Sequence, residues 1–325
     1  CLTIAVLGSH YLLSRFSVVV NTAIACGVAG FGLSIAALAN TVWEFGLGYG
    51  VLFGSANGFG YALSLQLAAR AYPQRRGVAI GVVTALYAVG ASFFAMMTGA
   101  MLEPFGLSGV MGGMAAILCL ALVIVVILVR PTEVSRRYPK FEIKDNLCGS
   151  VRLQIWLWLG YLGACTAGLA VLGHAAAMVR SSGGSESEAF NAVIVIGFTT
   201  GLGGVLAGWL NDCYGYKRLL IMLPGLTAGV LILIVLVGGK LVIPALAIAG
   251  GLYGATITVV PTAISLLFGI GGSAVIYGRV MTAWGLAALC GPIIGGLGYD
   301  FTGSYTTTLL FSAAVALIAV VSGQR

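Results

Sequence analysis

The chain has 325 residues, 60% of them hydrophobic and only 8% charged, with a mean hydropathy of +1.07. Soluble globular domains carry about 25% charged residues, so a water-soluble fold is excluded. The net charge of +7, from 16 Lys and Arg against 9 Asp and Glu, must then be read in a membrane setting and not as a nucleic-acid-binding surface.

Apolar runs of about 20 residues, each long enough to cross a hydrocarbon core of roughly 30 Å as a helix, follow one another along the sequence. Breaking them at charged and Pro/Gly-rich points predicts an all-α polytopic membrane protein. Its spans fall near 1–13, 17–39, 43–69, 76–101, 108–130, 152–178, 188–210, 217–239, 241–268, 275–299 and 304–323. The first begins at Cys1 with no charged segment ahead of it and reads as a helix whose start is missing. The 49 glycines fit membrane helices, where small residues let backbones approach closely.

The seven cysteines (Cys1, Cys26, Cys119, Cys148, Cys165, Cys213, Cys290) are scattered and contain no C-x-x-C pair. Neither a disulfide framework nor a metal site is expected, and no cofactor is called for. No G-x-x-x-x-G-K-[ST] occurs, which argues against an ATP-driven pump.

If loops alternate sides, 14 of the 16 basic residues share one side: Arg15, Arg70, Arg75, Arg76, Arg130, Arg136, Arg137, Lys140, Lys144, Arg152, Lys217, Arg218, Arg279 and Arg325. Only Arg180 and Lys240 fall on the other. Basic residues concentrate in the cytoplasm, so the split sets the topology and accounts for the net charge. The longest polar segment, RPTEVSRRYPKFEIKDNLCGSVR at 130–152, is on that side and predicts a division into bundle 1–130, cytoplasmic linker 131–151 and bundle 152–325. Five spans precede it and six follow; one missing N-terminal span would make six plus six. The halves also echo each other loosely, Thr84-Ala85 after one turn matching Thr282-Ala283 after the other, as expected of two parallel repeats.

One turn carries an unusual density of charge. Gly208-Trp-Leu-Asn-Asp212-Cys-Tyr-Gly215-Tyr-Lys217-Arg218 fits G-x-x-x-D-x-x-G-x-[KR]-[KR]. Gly208 permits close helix approach and Gly215 a tight turn. Asp212 is able to cap a neighbouring helix N-terminus, expected near Gly272 and Ser273, while Lys217 and Arg218 hold the loop at the basic side. A merely solvated turn would explain the basic pair but not the Gly-Asp-Gly spacing. Here the chain resembles the major facilitator superfamily, which carries this signature between the second and third helices of each half. The resemblance implies the major facilitator fold: two six-helix bundles, here without the first helix and part of the second. In the first half, LGSHYLLSRFSVV puts Leu12 where the Asp would be and Arg15 where the Gly would be, so this copy is degenerate.

The elements NGxGY (57–61), YPxxRGxAxG (72–81), CGPxxGG (290–296) and YDxTGSY (299–305) narrow the resemblance to the branch of oxalate:formate antiporters and monocarboxylate porters. It implies a secondary transporter that moves a small organic anion by alternating access, with a proton or counter-anion coupled to it. Oxalate-handling members carry a basic residue at two positions that align with Gly204 and Trp284, so the resemblance supports small anions as a class and not oxalate itself.

An ionisable group inside a span costs about 2.5–3.5 kcal/mol and is a functional candidate by default. His174 is the clearest: protonated, it would pair with a carboxylate or carry a coupling proton; neutral, it would hydrogen-bond a facing backbone carbonyl. Asn57 and Tyr61, four apart on one helix face, and Tyr87, Tyr253, Thr282 and Trp284 are further substrate-binding candidates, the alternative for each aromatic being plain packing. Arg76 in the YPQRRG turn and Arg279 join the gating residues; Arg279 would either pair with Asp212 or snorkel. Glu44 beside Trp43 reads as an interfacial residue. No catalytic residue is assigned, because an intramembrane enzyme would need an acid beside His174 at depth. A transport-dead remnant and a carrier of neutral or cationic solutes remain alternatives. The expected setting is a monomer in the cell inner membrane, in contact with lipid and with no nucleic acid, its 131–151 loop and C-terminus cytoplasmic.

Overall fold

The computed structural model describes residues 1–129, 151–237 and 239–323, and they are helical almost throughout, with no strand among them. Helix α1 spans Leu2–Arg15 and α2 Val18–Leu38. A short α3 (Val42–Phe45), a π-helical stretch (Gly46–Phe53) and α4 (Gly54–Ala71) follow as one continuous rod. Then come α5 (Arg76–Val129), α6 (Val151–Leu172), α7 (Ala175–Ser181), α8 (Glu186–Tyr214), α9 (Tyr216–Val237), α10 (Val242–Leu267), α11 (Gly269–Thr302) and α12 (Thr306–Gly323). Nearly all of the expected 131–151 linker lies outside the described residues.

Local chemistry accounts for the starts and stops. Thr41 with Glu44 and Ser185 with Glu188 form reciprocal caps that satisfy the orphan N–H groups of α3 and α8. Gly106, at φ 64°, breaks α5 just after Pro104. Gly215, at φ 81°, ends α8 with its N–H on the Asn211 carbonyl at 2.9 Å. Both conformations lie in the left-handed region that glycine tolerates best. Among the described residues seven helices are long and apolar enough to cross a membrane. One of them, Arg76–Leu128, has 53 residues, about 80 Å of helix, enough for two crossings divided at Gly106.

The expected single span over 152–178 is corrected to two helices. Leu172 ends α6, the His174 N–H bonds the Val171 carbonyl at 3.1 Å, and α7 restarts at Ala175. This three-residue hydrogen bond tightens the chain where Gly173 packs beside Pro292 of α11.

The described residues form two compact units, each discontinuous in sequence. The first contains Cys1–Ala71, the described part of 95–147, and Phe268–Thr282. Its cores are Leu13, Val18, Phe59 and Leu63 among α1, α2 and α4, and Leu33, Val110 and Met111 between α2 and the later part of α5. The second contains Tyr72–Phe94, the described part of 148–267, and the described residues from Ala283 onward. Its larger core joins Val171, Met178, Leu231, Leu246 and Ala316.

Candidate functional site

The charged turn of the sequence is built into a junction of three helices within the second unit. Asp212, near the end of α8, accepts the Gly77 N–H on Oδ1 at 2.8 Å and the Val78 N–H on Oδ2 at 2.9 Å. A carboxylate held by two orphan N–H groups at a helix N-terminus is favoured both by the charged hydrogen bonds and by the helix dipole. The capped helix is therefore α5, starting at Arg76, and not the one near Gly272 and Ser273. Arg76 in turn donates from Nη1 to the Ser265 carbonyl at 2.7 Å, supplying a donor and a positive charge to the last turn of α10. Lys217 and Arg218 remain exposed.

Close backbone approach makes these bonds possible. A Cβ on Gly208 would collide with the Gly77 carbonyl oxygen, and a Cβ on Gly77 with that of Gly208. Farther along, a Cβ on Gly81 would come within 2.6 Å of the Gly204 oxygen, and one on Gly201 within 3.2 Å of the Ala85 oxygen. The other side of α8 meets α10 in the same manner: a Cβ on Gly203 would strike the Gly251 carbonyl, and one on Gly254 that of Thr200. Small residues at three- and four-residue spacing let membrane helices touch backbone to backbone. This ladder is a packing feature that the motif reading missed, although the spacing of Gly197, Gly201, Gly204 and Gly208 against Gly77, Gly81 and Ala85 was visible.

Buried polar groups lie in the same junction. Asn211 is 2% exposed, and neither its side-chain nitrogen nor its oxygen is hydrogen-bonded among the described residues. Arg76 Nε and Thr258 Oγ1 are likewise unpaired and buried.

The substrate-binding candidates divide between the units. In the second, Trp284 Nε1 donates to the Tyr253 hydroxyl at 2.7 Å, joining α11 to α10, and the Tyr253 ring lies over Gly168 of α6, where a Cβ would approach to 2.8 Å. Tyr87 is in the same unit on α5, partly exposed. His174 Nε2 is 2.9 Å from the Pro292 carbonyl, which only accepts, so that nitrogen carries a proton. The imidazole also packs against Tyr305 with centroids 5.7 Å apart, and Tyr305 stacks on Tyr299 at 4.6 Å. Burial, and after it the neighbouring Tyr299, pushes the Tyr305 phenol above its ordinary range. In the first unit, Asn57 is half-buried, Tyr61 buried, and the Thr282 hydroxyl donates back to the Arg279 carbonyl at 2.6 Å. Arg279 itself is exposed on α11.

The family model of the Major Facilitator Superfamily matches residues 3–276. The chain belongs to that superfamily. It is 29% identical to the uncharacterized MFS-type transporter YhjX of Escherichia coli K12, over 86% of this chain and 71% of the relative. It is 25% identical to monocarboxylate transporter 13 of Rattus norvegicus, over 89% and 69% of the two chains. With the oxalate:formate antiporter of Oxalobacter formigenes the identity is 24%, over 82% and 66%. The crystal structure of FucP, the Escherichia coli fucose:proton symporter, in the outward conformation superposes with a TM-score of 0.75 at 14% identity, covering 99% of this chain and 86% of FucP. The protein is thus an integral membrane protein with the fold of major facilitator transporters.

Proposed function

We propose that the protein is a secondary transporter for a small, monocarboxylate-like organic anion, working by alternating access with a proton or counter-anion coupled to the movement. The observation that carries the mechanism is the Asp212 clasp on the start of α5, since it joins the two sequence halves through a contact that a few kcal/mol can make or break. A rocking bundle needs such a contact at the end that closes. The placement of basic residues supports putting this end, with Lys217, Arg218 and the 131–151 loop, in the cytoplasm. The setting that goes with this reading is a monomer in the cell inner membrane.

The names of the monocarboxylate and oxalate:formate relatives support the substrate class. The Tyr253–Trp284 pair fits it chemically: with the indole N–H donated to the Tyr253 hydroxyl the pair is neutral and brings no cation, which suits a singly charged carboxylate better than a dianion. Asn57, Tyr61, Tyr87 and Thr282 are the accompanying candidates, and His174 serves as the anchor of the α6–α7 corner. Uptake of labelled monocarboxylates, dicarboxylates and uncharged solutes into vesicles containing the purified protein tests the reading. Saturable uptake of one or more monocarboxylates is expected; uptake confined to uncharged solutes would overturn the substrate class.

A further inference from the structure

Within the second unit, α6, α9, α10 and α12 enclose a cavity of about 360 Å³. Its walls are mainly apolar, with Leu157, Leu223, Pro224 and Val259 prominent beside Tyr161 and Tyr216, and the Thr256 hydroxyl is turned back onto the Leu252 carbonyl of its own helix at 3.0 Å. A second groove of about 410 Å³, along α6, α11 and α12, shares Trp156 and Ala319 with the cavity, so the two apolar spaces adjoin. Each falls in the roughly 300–1,000 Å³ range of ligand sites.

The charge lies at one end. Lys217, in the first turn of α9, lines the cavity, and Arg152 stands four residues before Trp156 on the same face of α6. Among the described residues neither cation has an acidic partner within salt-bridge distance. An apolar slot walled by four membrane helices, with two cations from adjacent helices at its end, matches a molecule with a hydrocarbon tail and an anionic head.

We propose that this is a binding site for an anionic phospholipid of the surrounding membrane. One acyl chain enters the cavity, the other follows the groove past Trp156, and the phosphate sits between Lys217 and Arg152. The cavity would take a hydrocarbon chain in preference to a polar solute, since most of its lining is apolar and its polar side chains, Lys217 apart, are the neutral Trp156, Tyr161, Tyr216 and Thr256. The cations distinguish the lipid by charge: a zwitterionic head brings its own cation and gains less from them.

Tryptophan quenching tests this directly. The purified protein is reconstituted in vesicles in which a fixed fraction of the lipid is phosphatidylglycerol or phosphatidylcholine carrying brominated acyl chains. Brominated phosphatidylglycerol is expected to quench several-fold more than brominated phosphatidylcholine at equal mole fraction. The excess should vanish in Trp156→Phe, which keeps the wall aromatic. It should also fall in Arg152→Gln/Lys217→Gln, and in Ala164→Phe, which fills the cavity. Equal quenching by the two lipids, which is what bulk lipid contact alone gives, overturns the proposal, and so does an excess that survives Trp156→Phe.

Discussion

Two turns of this chain begin from the same pattern and end with different chemistry. At the end of α8 the full motif is present: Asp212 clasps two N–H groups of α5, and Gly208 lies against Gly77. At the end of α1, in the other unit, Leu12 stands in place of the acid and packs on the apolar cluster of Leu13, Val18 and Phe59. There the first part of α11 approaches α1 through Gly278, whose Cβ would meet Leu7 Cα at 3.0 Å. Its nearby polar tie is neutral and buried, from Ser273 Oγ to Gln66 Oε1 of α4 at 3.1 Å. One junction is held by a charge on a helix dipole and the other by a neutral hydrogen bond and apolar packing. The difference teaches that degeneracy of a motif need not loosen a contact; it changes the kind of energy that holds it.

The strongest way to break the comparison is steric. Gly208→Leu puts a side chain where the Gly77 carbonyl sits, and backbone does not yield as a flexible side chain does. Overpacking costs about 1–3 kcal/mol, so at its upper end the closed junction is disfavoured on the order of a hundred-fold. Substrate uptake should drop accordingly while the protein still inserts. Gly278→Ala, with 3.0 Å to its nearest atom, should be much milder. Equal transport by Gly208→Leu and the parent would show that α5 and α8 need not close.

Next in size is the charge itself. Removing a carboxylate from a partly buried helix N-terminus costs up to roughly 2 kcal/mol, a shift of about 25- to 30-fold in the balance of states. Asp212→Asn should therefore lower turnover and make a single cysteine in the 275–290 segment, in otherwise cysteine-free protein, react faster with a cytoplasmic thiol reagent. Unchanged labelling together with unchanged turnover would reduce the clasp to an ordinary turn.

Much of the fold was legible because membrane helices announce themselves by length and apolarity, and Gly215 marked the α8–α9 turn by its conformation. The α6–α7 corner was hidden. Nothing local in AGLAVLGHAAAMV stops a helix except Gly173, and what fixes the corner is a hydrogen bond from His174 to Pro292, 118 positions away. The same holds for the Trp284–Tyr253 pair: both residues stood out in the sequence, but their 2.7 Å bond depends on how α10 meets α11. The motif implied that Asp212 caps a helix, yet which helix is a matter of packing, decided by the glycines of α5 and α8 and not by the turn. Spacing reports which residues share a face; it does not report which face they meet.

The comparison is sharpened by the residue beside the clasp. Asn211 is buried with both amide atoms unpaired among the described residues, and a buried polar group without a partner costs about 1–3 kcal/mol. That cost opposes closure while Asp212 favours it, so adjacent residues pull the junction in opposite directions. Asn211→Leu, close in volume and without polar atoms, should slow labelling of the same cysteine by about fivefold, taking the lower figure of roughly 1 kcal/mol. Faster labelling would mean that Asn211 supports the closed form.

The smallest effect is expected in the other unit, where a neutral bond replaces the charge. Ser273→Ala removes the hydroxyl that donates to Gln66, and such a bond contributes a net 0.5–1.5 kcal/mol, with the lower end corresponding to about twofold in an equilibrium. The apolar packing around Leu13 and Phe59, and the approach of Gly278 to α1, are untouched by the change. Labelling and turnover in Ser273→Ala should then stay within a few-fold of the parent, well short of Asp212→Asn measured side by side. If the two substitutions shift labelling equally, the junctions carry comparable energy, and the loss of the acid at Leu12 has been made good through Ser273 and Gln66.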